Sequence, residues 1–151
     1  MIHYADTSFL CAAYRQQAFT ELALALRETL AEPLHYTSLL EFAFLQAIEE
    51  QVWLRSHDKT KGFTRRVADG MIADWETDVA SGVIQLVAFD MSAMLRLSLE
   101  LSGQATAKDG NRSMDIFHVA TAVHLGARKF LTFDDRQQAL ARRAGLEVVP
   151  G

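Results

Sequence analysis

Four acidic side chains stand at positions where a folded chain can use them chemically: Asp6, Glu41, Asp115 and Asp134. Asp6 directly follows the apolar stretch MIHYA, and Asp134 directly follows KFLTF. Both stretches read as short buried strands, so both acids fall at a strand's carboxyl end. Glu41 and Asp115 each fall in the first turn of an expected helix. Carboxylates gathered in one place repel each other strongly unless a cation sits among them. Such a cluster is a poor structural device and a good cation trap. With oxygen donors and no thiolate, the cation it suits is Mg²⁺ or Mn²⁺.

Each acid also has a plain structural reading. An Asp in a strand-to-helix turn often caps the next helix. Beside Asp6, Ser8 is the expected cap, which leaves the Asp6 carboxylate for other work. Ser38-Leu39-Leu40-Glu41 fits a capping box, with Glu41 reaching back to the Ser38 amide. Asp115 is favoured near a helix N-terminus by ~0.3–1 kcal/mol, and Ser113 is its expected cap. Of the pair Asp134-Asp135, Asp134 lies nearer the strand and is assigned to the site, Asp135 to the cap; the reverse assignment stays open. No single signal is specific. Together they sit at strand ends and helix starts, on the side of a parallel sheet where ligands bind.

The elements that must position these acids follow from apolar spacing. After MIHYA comes a helix beginning SFLCAAY, then an amphipathic helix from about Phe19 to Leu30 carrying Leu22, Leu26 and Leu30, broken by Pro33. LHYTS is a brief extended piece. LLEFAFLQAIEEQVWLR is a strong helix with Leu40, Phe44, Ile48 and Val52 in one stripe. A further helix, FTRRVADGMIADWETDVASG, carries Phe63, Val67, Met71 or Ile72, and Trp75, with Gly82 as its stop. VIQLVAF is a strand, Asp90 caps the helix MSAMLRLSLELSG, and QATAKDGNR is a loop. The helix SMDIFHVATAVHLGA, the strand KFLTF, the helix RQQALARRAG and the strand LEVVP complete the chain. The order β-α-α-α-α-β-α-α-β-α-β implies a three-layer α/β/α sandwich around a central parallel sheet.

Bulk composition narrows the class. At 151 residues and 50% hydrophobic content, the chain suits one globular domain, 1–151, with a core of its own. A net charge of −4 argues against a protein that coats nucleic acid, while leaving room for a local grip on RNA. No apolar run approaches the ~18 residues of a membrane span. MIHYADTSFL carries an acid and no basic leader, so no signal peptide is expected. Cys11 is the lone cysteine, which excludes a disulfide framework and fits a cytoplasmic protein.

Three blocks now carry a resemblance: YADTSFL, the acid within TSLLEFAFLQAI, and RSMDIFHVATAVHLGARKFLTFDDRQQALARRAGLEVVP. The chain resembles the PIN domains, and most closely the VapC-type toxins of bacterial toxin–antitoxin pairs. The likeness implies a PIN-like fold and a metal site formed by Asp6, Glu41, Asp115 and Asp134. It implies cleavage of RNA, a cognate antitoxin as partner, and a homodimer. The stretch from about Arg55 to Ser81 is where that family diverges most.

The implied chemistry is coherent with the acids. A divalent cation offsets a phosphodiester's charge, lowers the pKa of bound water and aligns the groups that react. Setting the four acids aside leaves the remaining charge balanced, since −4 moves to 0. Arg112 adjoins the site, and Lys59, Lys61, Arg65 and Arg66 form a short basic patch for RNA, which Arg128 and Lys129 extend. Thr7, Ser8 and Thr132 are hydrogen-bond donors for a ligand or bound water. The alternatives are a non-toxin nuclease of the same family, a catalytically silent RNA-binding module, and a zinc site built on Asp115 and His118 at i, i+3. Phe42, Phe44, Trp53, Phe63 and Trp75 offer apolar surface for partners, more of it expected in the core than in contact.

Overall fold

The structure is a computed structural model that describes residues 2–15 and 20–151. Its elements run β1 (His3–Ala5), α1 (Thr7–Tyr14), α2 (Thr20–Glu28), β2 (Leu34–Tyr36), α3 (Ser38–His57), α4 (Arg65–Ala80) and β3 (Ile84–Leu86). They continue with α5 (Met91–Asp109), α6 (Ser113–His124), β4 (Lys129–Leu131), α7 (Asp135–Arg143) and β5 (Glu147–Val149).

Five parallel strands lie in the order β3-β2-β1-β4-β5. The sheet grows outward from β1 in both directions, first through β2 and β3, then through β4 and β5. Neighbouring β1 and β4 therefore feed crossovers on opposite sides, and the crevice beyond their carboxyl ends is the topological switch point of the sheet. Register locks that end: Ala5 pairs with Leu131, and the Asp6 amide donates to the Leu131 carbonyl at 3.0 Å. The three-layer parallel α/β/α sandwich is present as expected.

The helices pack in two groups, α1 with α2, α3 and α4, and α6 with α5 and α7. In the first group Trp75 is the hub, its ring centroid within 5.0 Å of Tyr36, 5.2 Å of Phe44 and 5.7 Å of Tyr14. In the sheet and beyond it, Tyr4 stacks on Phe130 and Phe9 on Phe133. Phe44 and Phe63 are core residues, whereas Phe42 and Trp53 are exposed.

Several boundaries differ from the sequence reading. The piece LHY is a full strand beside β1, its Leu34 and Tyr36 buried, so the sheet has five strands. VIQLVAF shrinks to the edge strand β3, where Gln85 and Leu86 face outward. The α5 helix runs straight through Gly103 and the expected loop to Asp109, and stops only where Gly110 adopts φ 68°. Leu22 and Val67, expected in apolar stripes, are exposed, and Ala23 and Ala68 take the buried positions instead. The expected helix start at Phe19 lies outside the described residues.

Candidate active site

Asp6 ends β1 in extended conformation and is itself the N-cap of α1, with Oδ1 accepting from the Phe9 amide at 3.1 Å. This corrects the assignment of the cap to Ser8. Ser8 instead donates its hydroxyl to Asp6 Oδ1 at 2.6 Å, and Thr132, at the end of β4, donates to Asp6 Oδ2 at 2.5 Å. Both hydroxyls spend their hydrogen on Asp6, and both oxygens then accept amides of the next turn, Phe133 to Ser8 at 3.1 Å and Asp134 to Thr132 at 3.0 Å. The β1 and β4 ends are thereby stitched around one carboxylate. Asp6 is only 2% exposed. Burial pushes its pKa up to about 6, against the pull of the Ser8, Thr132 and Phe9 hydrogen bonds, and the negative charge of Asp134 adds to the rise.

Asp134 caps α7, Oδ1 accepting from the Arg136 amide at 2.8 Å and the Gln137 amide at 3.2 Å. Asp135, expected as the cap, is the first helical residue. Likewise Ser113 begins α6 without capping it. The N-cap position belongs to Arg112, whose amide donates to Asp115 Oδ2 at 3.1 Å. Cap and site are thus not exclusive duties here: each Asp uses one oxygen as a local acceptor. Among the described residues, Asp115 Oδ1 and Asp134 Oδ2 take no hydrogen bond within the protein.

Asp6, Asp115 and Asp134 line one cavity of about 620 Å³, together with Arg112, His118 and Gln137. Its opposite wall is α3, through Phe42, Ala43, Gln46, Ala47 and Glu50. Glu41 is not on that wall. It lines an adjoining groove with Leu45 and Glu49, bordered by the same Phe42 and Gln46, and its Oε2 accepts the buried Trp75 indole N–H at 3.1 Å. The capping box expected at Ser38 is not formed either, because Thr37 is the N-cap, accepting from the Leu40 amide at 3.2 Å. The structure therefore brings three of the four expected acids together and turns the fourth towards α4.

His118 is buried on the cavity floor, its Nε2 3.2 Å from Thr7 Oγ1 and its ring against Tyr4. Burial holds its pKa down at about 4, so the ring is neutral near pH 7. Among the described residues its Nδ1 has no partner, and neither has the buried Oε1 of Gln137, another residue of the cavity lining. Of the basic residues, Arg112 lines the cavity, and with Arg136, Asp115 and Asp134 it also lines an adjoining polar depression. Sequence reasoning missed Arg136, although its place two residues after Asp134, in the first turn of α7, was a usable signal. Arg65 is held by Glu49 through two bonds, at 2.6 and 3.1 Å, and by Asp69 at 2.8 Å. Lys61 lies 3.9 Å from Asp58, and Lys59 and Arg66 are exposed; none of these four lines the cavity.

Among the described residues no three His, Cys, Asp or Glu side chains stand close enough to hold an ion as a set. The donors nonetheless suit a hard divalent cation: carboxylate oxygens, two of which, Asp115 Oδ1 and Asp134 Oδ2, take no hydrogen bond among the described residues. Mg²⁺ keeps several of its waters and usually takes only one or two carboxylates, which this wider spacing allows.

The fold has relatives among solved structures. VapC20 from Mycobacterium tuberculosis, a Sarcin-Ricin loop cleaving toxin, superposes with a TM-score of 0.56 at 18% identity, over 90% of this chain and 92% of that one. FitAcB from Neisseria gonorrhoeae superposes with a TM-score of 0.65 at 16% identity, over 98% of this chain and 96% of that one. The fold is PIN-like. No protein-family model matches the chain, and no curated protein matches it in sequence. In this PIN-like fold the acid-lined cavity opens at the switch point of the sheet, where the strand ends deliver Asp6 and Asp134.

Proposed function

We propose that this chain is a divalent-metal-dependent endoribonuclease, the toxin of a type II toxin–antitoxin pair, acting in the cytoplasm. One observation carries the reading: Asp6, Asp115 and Asp134, from three separate parts of the chain, line one cavity at the carboxyl end of a PIN-like sheet. VapC20, which shares the fold, is a Sarcin-Ricin loop cleaving toxin. A cognate antitoxin as partner and a homodimer belong to the same proposal, carried over from the family resemblance of the sequence. No helix among the described residues is long and apolar enough to cross a membrane.

Asp115 and Asp134 would hold Mg²⁺ or Mn²⁺ through their unpartnered oxygens, with Asp6 lining the same cavity, whereas Glu41, the α3 acid the family likeness implies, is engaged by Trp75. The bound ion would supply an acidified water and offset the phosphate's charge. The chain's own groups do the rest. Ser8 and Thr132 hold Asp6 in its ionised form and fix its rotamer. Arg112 and Arg136, at the rim of the depression shared with Asp115 and Asp134, draw the phosphate backbone towards the acids. Neutral His118 orients the Thr7 hydroxyl at the cavity floor.

The test is cleavage of a structured RNA by chelator-stripped protein, with and without added Mg²⁺ or Mn²⁺, beside the Asp115→Asn variant. Cleavage should need the ion and fall in the variant by at least the ~10–100-fold typical of losing even an outer partner of a metal ligand. Undiminished cutting in chelator, or by the variant, would overturn the proposal.

A further inference from the structure

Resting on that nuclease reading, we infer that Glu50, and not Glu41, is the α3 carboxylate that faces the cation site. Helix geometry drives the assignment. The α3 residues on the cavity are Phe42, Ala43, Gln46, Ala47 and Glu50, which recur at the one- and four-residue steps of a single helix face. Glu41 precedes Glu50 by nine residues, and at about 100° per residue that is half a turn away from it. In the structure the Glu41 carboxylate lies on the α4 side of the helix, bonded to the Trp75 indole.

Local chemistry separates the two acids in the same way. Glu41 is engaged: it satisfies the indole N–H of Trp75, a side chain that is 2% exposed and would otherwise bury an unpaired donor. Glu50 has no hydrogen-bond or ion-pair partner among the described residues, and stands exposed at the cavity rim. Ala43 and Ala47, between it and the N-terminus of α3, are too short to obstruct the space in front of Asp6. That space is built for a polar occupant. Asp115 Oδ1 and Asp134 Oδ2 take no hydrogen bond among the described residues, both acids line it, and Arg112 stands beside them. A hydrated divalent cation, held by those carboxylate oxygens directly or through its waters, is an occupant of the right charge. Glu50 then closes the ring of charge opposite Asp115 and Asp134, binding the ion through its water shell.

The experiment is a Mn²⁺ titration of the full chain, with free Mn²⁺ followed by electron paramagnetic resonance. It compares the wild type, Glu50→Gln and Glu41→Gln. Glu50→Gln should raise the Kd for Mn²⁺ by about 10-fold, a typical loss for a carboxylate around a metal. Its melting temperature in chelator should match the wild type, since the side chain is exposed. Glu41→Gln should leave the Kd within about twofold of the wild type. If Glu41→Gln weakens Mn²⁺ binding and Glu50→Gln does not, the inference fails while the nuclease reading stands. If the wild type takes up no Mn²⁺, the nuclease reading fails and takes this assignment with it.

Discussion

Replacing Asp6 with Asn should make the metal-free protein more stable near neutral pH while abolishing the proposed RNA cleavage. Burial raises the Asp6 pKa from 3.8 to about 6, with the Asp134 charge contributing. The native state therefore holds, between about pH 4 and 6, a proton that the unfolded chain has already released. Stability contributed by this group falls as pH rises through that window, and ~3 kcal/mol has been lost by pH 7. His118 acts with the opposite sign. Its pKa is pushed from 6.5 to about 4 by burial, so the unfolded chain binds the extra proton, and stability rises with pH across nearly the same range by ~3 kcal/mol. In the wild type the two slopes largely cancel.

Asn cannot ionise, so the variant keeps only the rising His118 slope. It also loses one good acceptor, because Thr132 Oγ1 would face an amide N–H instead of Oδ2, at a cost of ~1 kcal/mol. The net gain at pH 7 is ~2 kcal/mol, a rise of about 4–8 °C in Tm for a chain of this length. Near pH 4 the gain vanishes and the variant is the weaker by ~1 kcal/mol. Thermal unfolding of both proteins in chelator, from pH 4 to 7.5, measures this directly. Parallel profiles, with no gap opening between pH 4 and 6, would refute the account of Asp6 as a carboxylate held at an energetic cost. Adding Mg²⁺ at pH 7 should then stabilise the wild type and leave the variant unmoved.

Other parts of the structure give their own tests. Gly62 adopts φ 61°, and a Cβ there would run into the Gln51 carbonyl oxygen, so Gly62→Ala should cost ~1–3 kcal/mol in urea unfolding. Trp75→Phe strands the Glu41 acceptor and leaves a gap beside Phe44 and Tyr36; a loss of about 1–3 kcal/mol is expected, with Mn²⁺ affinity unchanged. Arg112→Ala should weaken RNA binding for all sequences alike and lower the slope of log K against log salt by about one, whereas Lys59→Ala, outside the cavity, should leave that slope unchanged.

The strand-end acids were legible in the sequence because one rule covers them. A short apolar run followed by Asp, in a parallel α/β pattern, puts that Asp at the sheet's ligand edge, as Asp6 and Asp134 show. The caps were misread for a physical reason. Capping and site duty look like rivals for one residue in a linear reading, yet a carboxylate has two oxygens. Asp134 gives one to the amides of α7 and Asp115 one to the amide of Arg112, and each keeps the other for the cavity. Likewise LHY was too short to rank as a strand alone; pairing on both sides, with β1 and β3, makes it one.

Glu41 exposes a deeper limit. The stripe Leu40, Phe44 and Ile48 correctly fixes which line of α3 meets the core, and all three are buried. A stripe has two flanks, however. Glu41, Leu45 and Val52 lie on one, and Ala43, Ala47 and Glu50 on the other. Which flank looks into the crevice depends on where α4 docks, and no periodicity in α3 encodes that. Trp75 decides it. Its indole ring packs on Phe44 and Tyr36, its N–H needs an acceptor, and Glu41 is the carboxylate within reach at 3.1 Å. With α4 on that flank, the crevice is left to Ala43, Ala47 and Glu50. A buried donor on a neighbouring helix, 34 residues away in sequence, thus engages one of the two glutamates and leaves the other on the cavity.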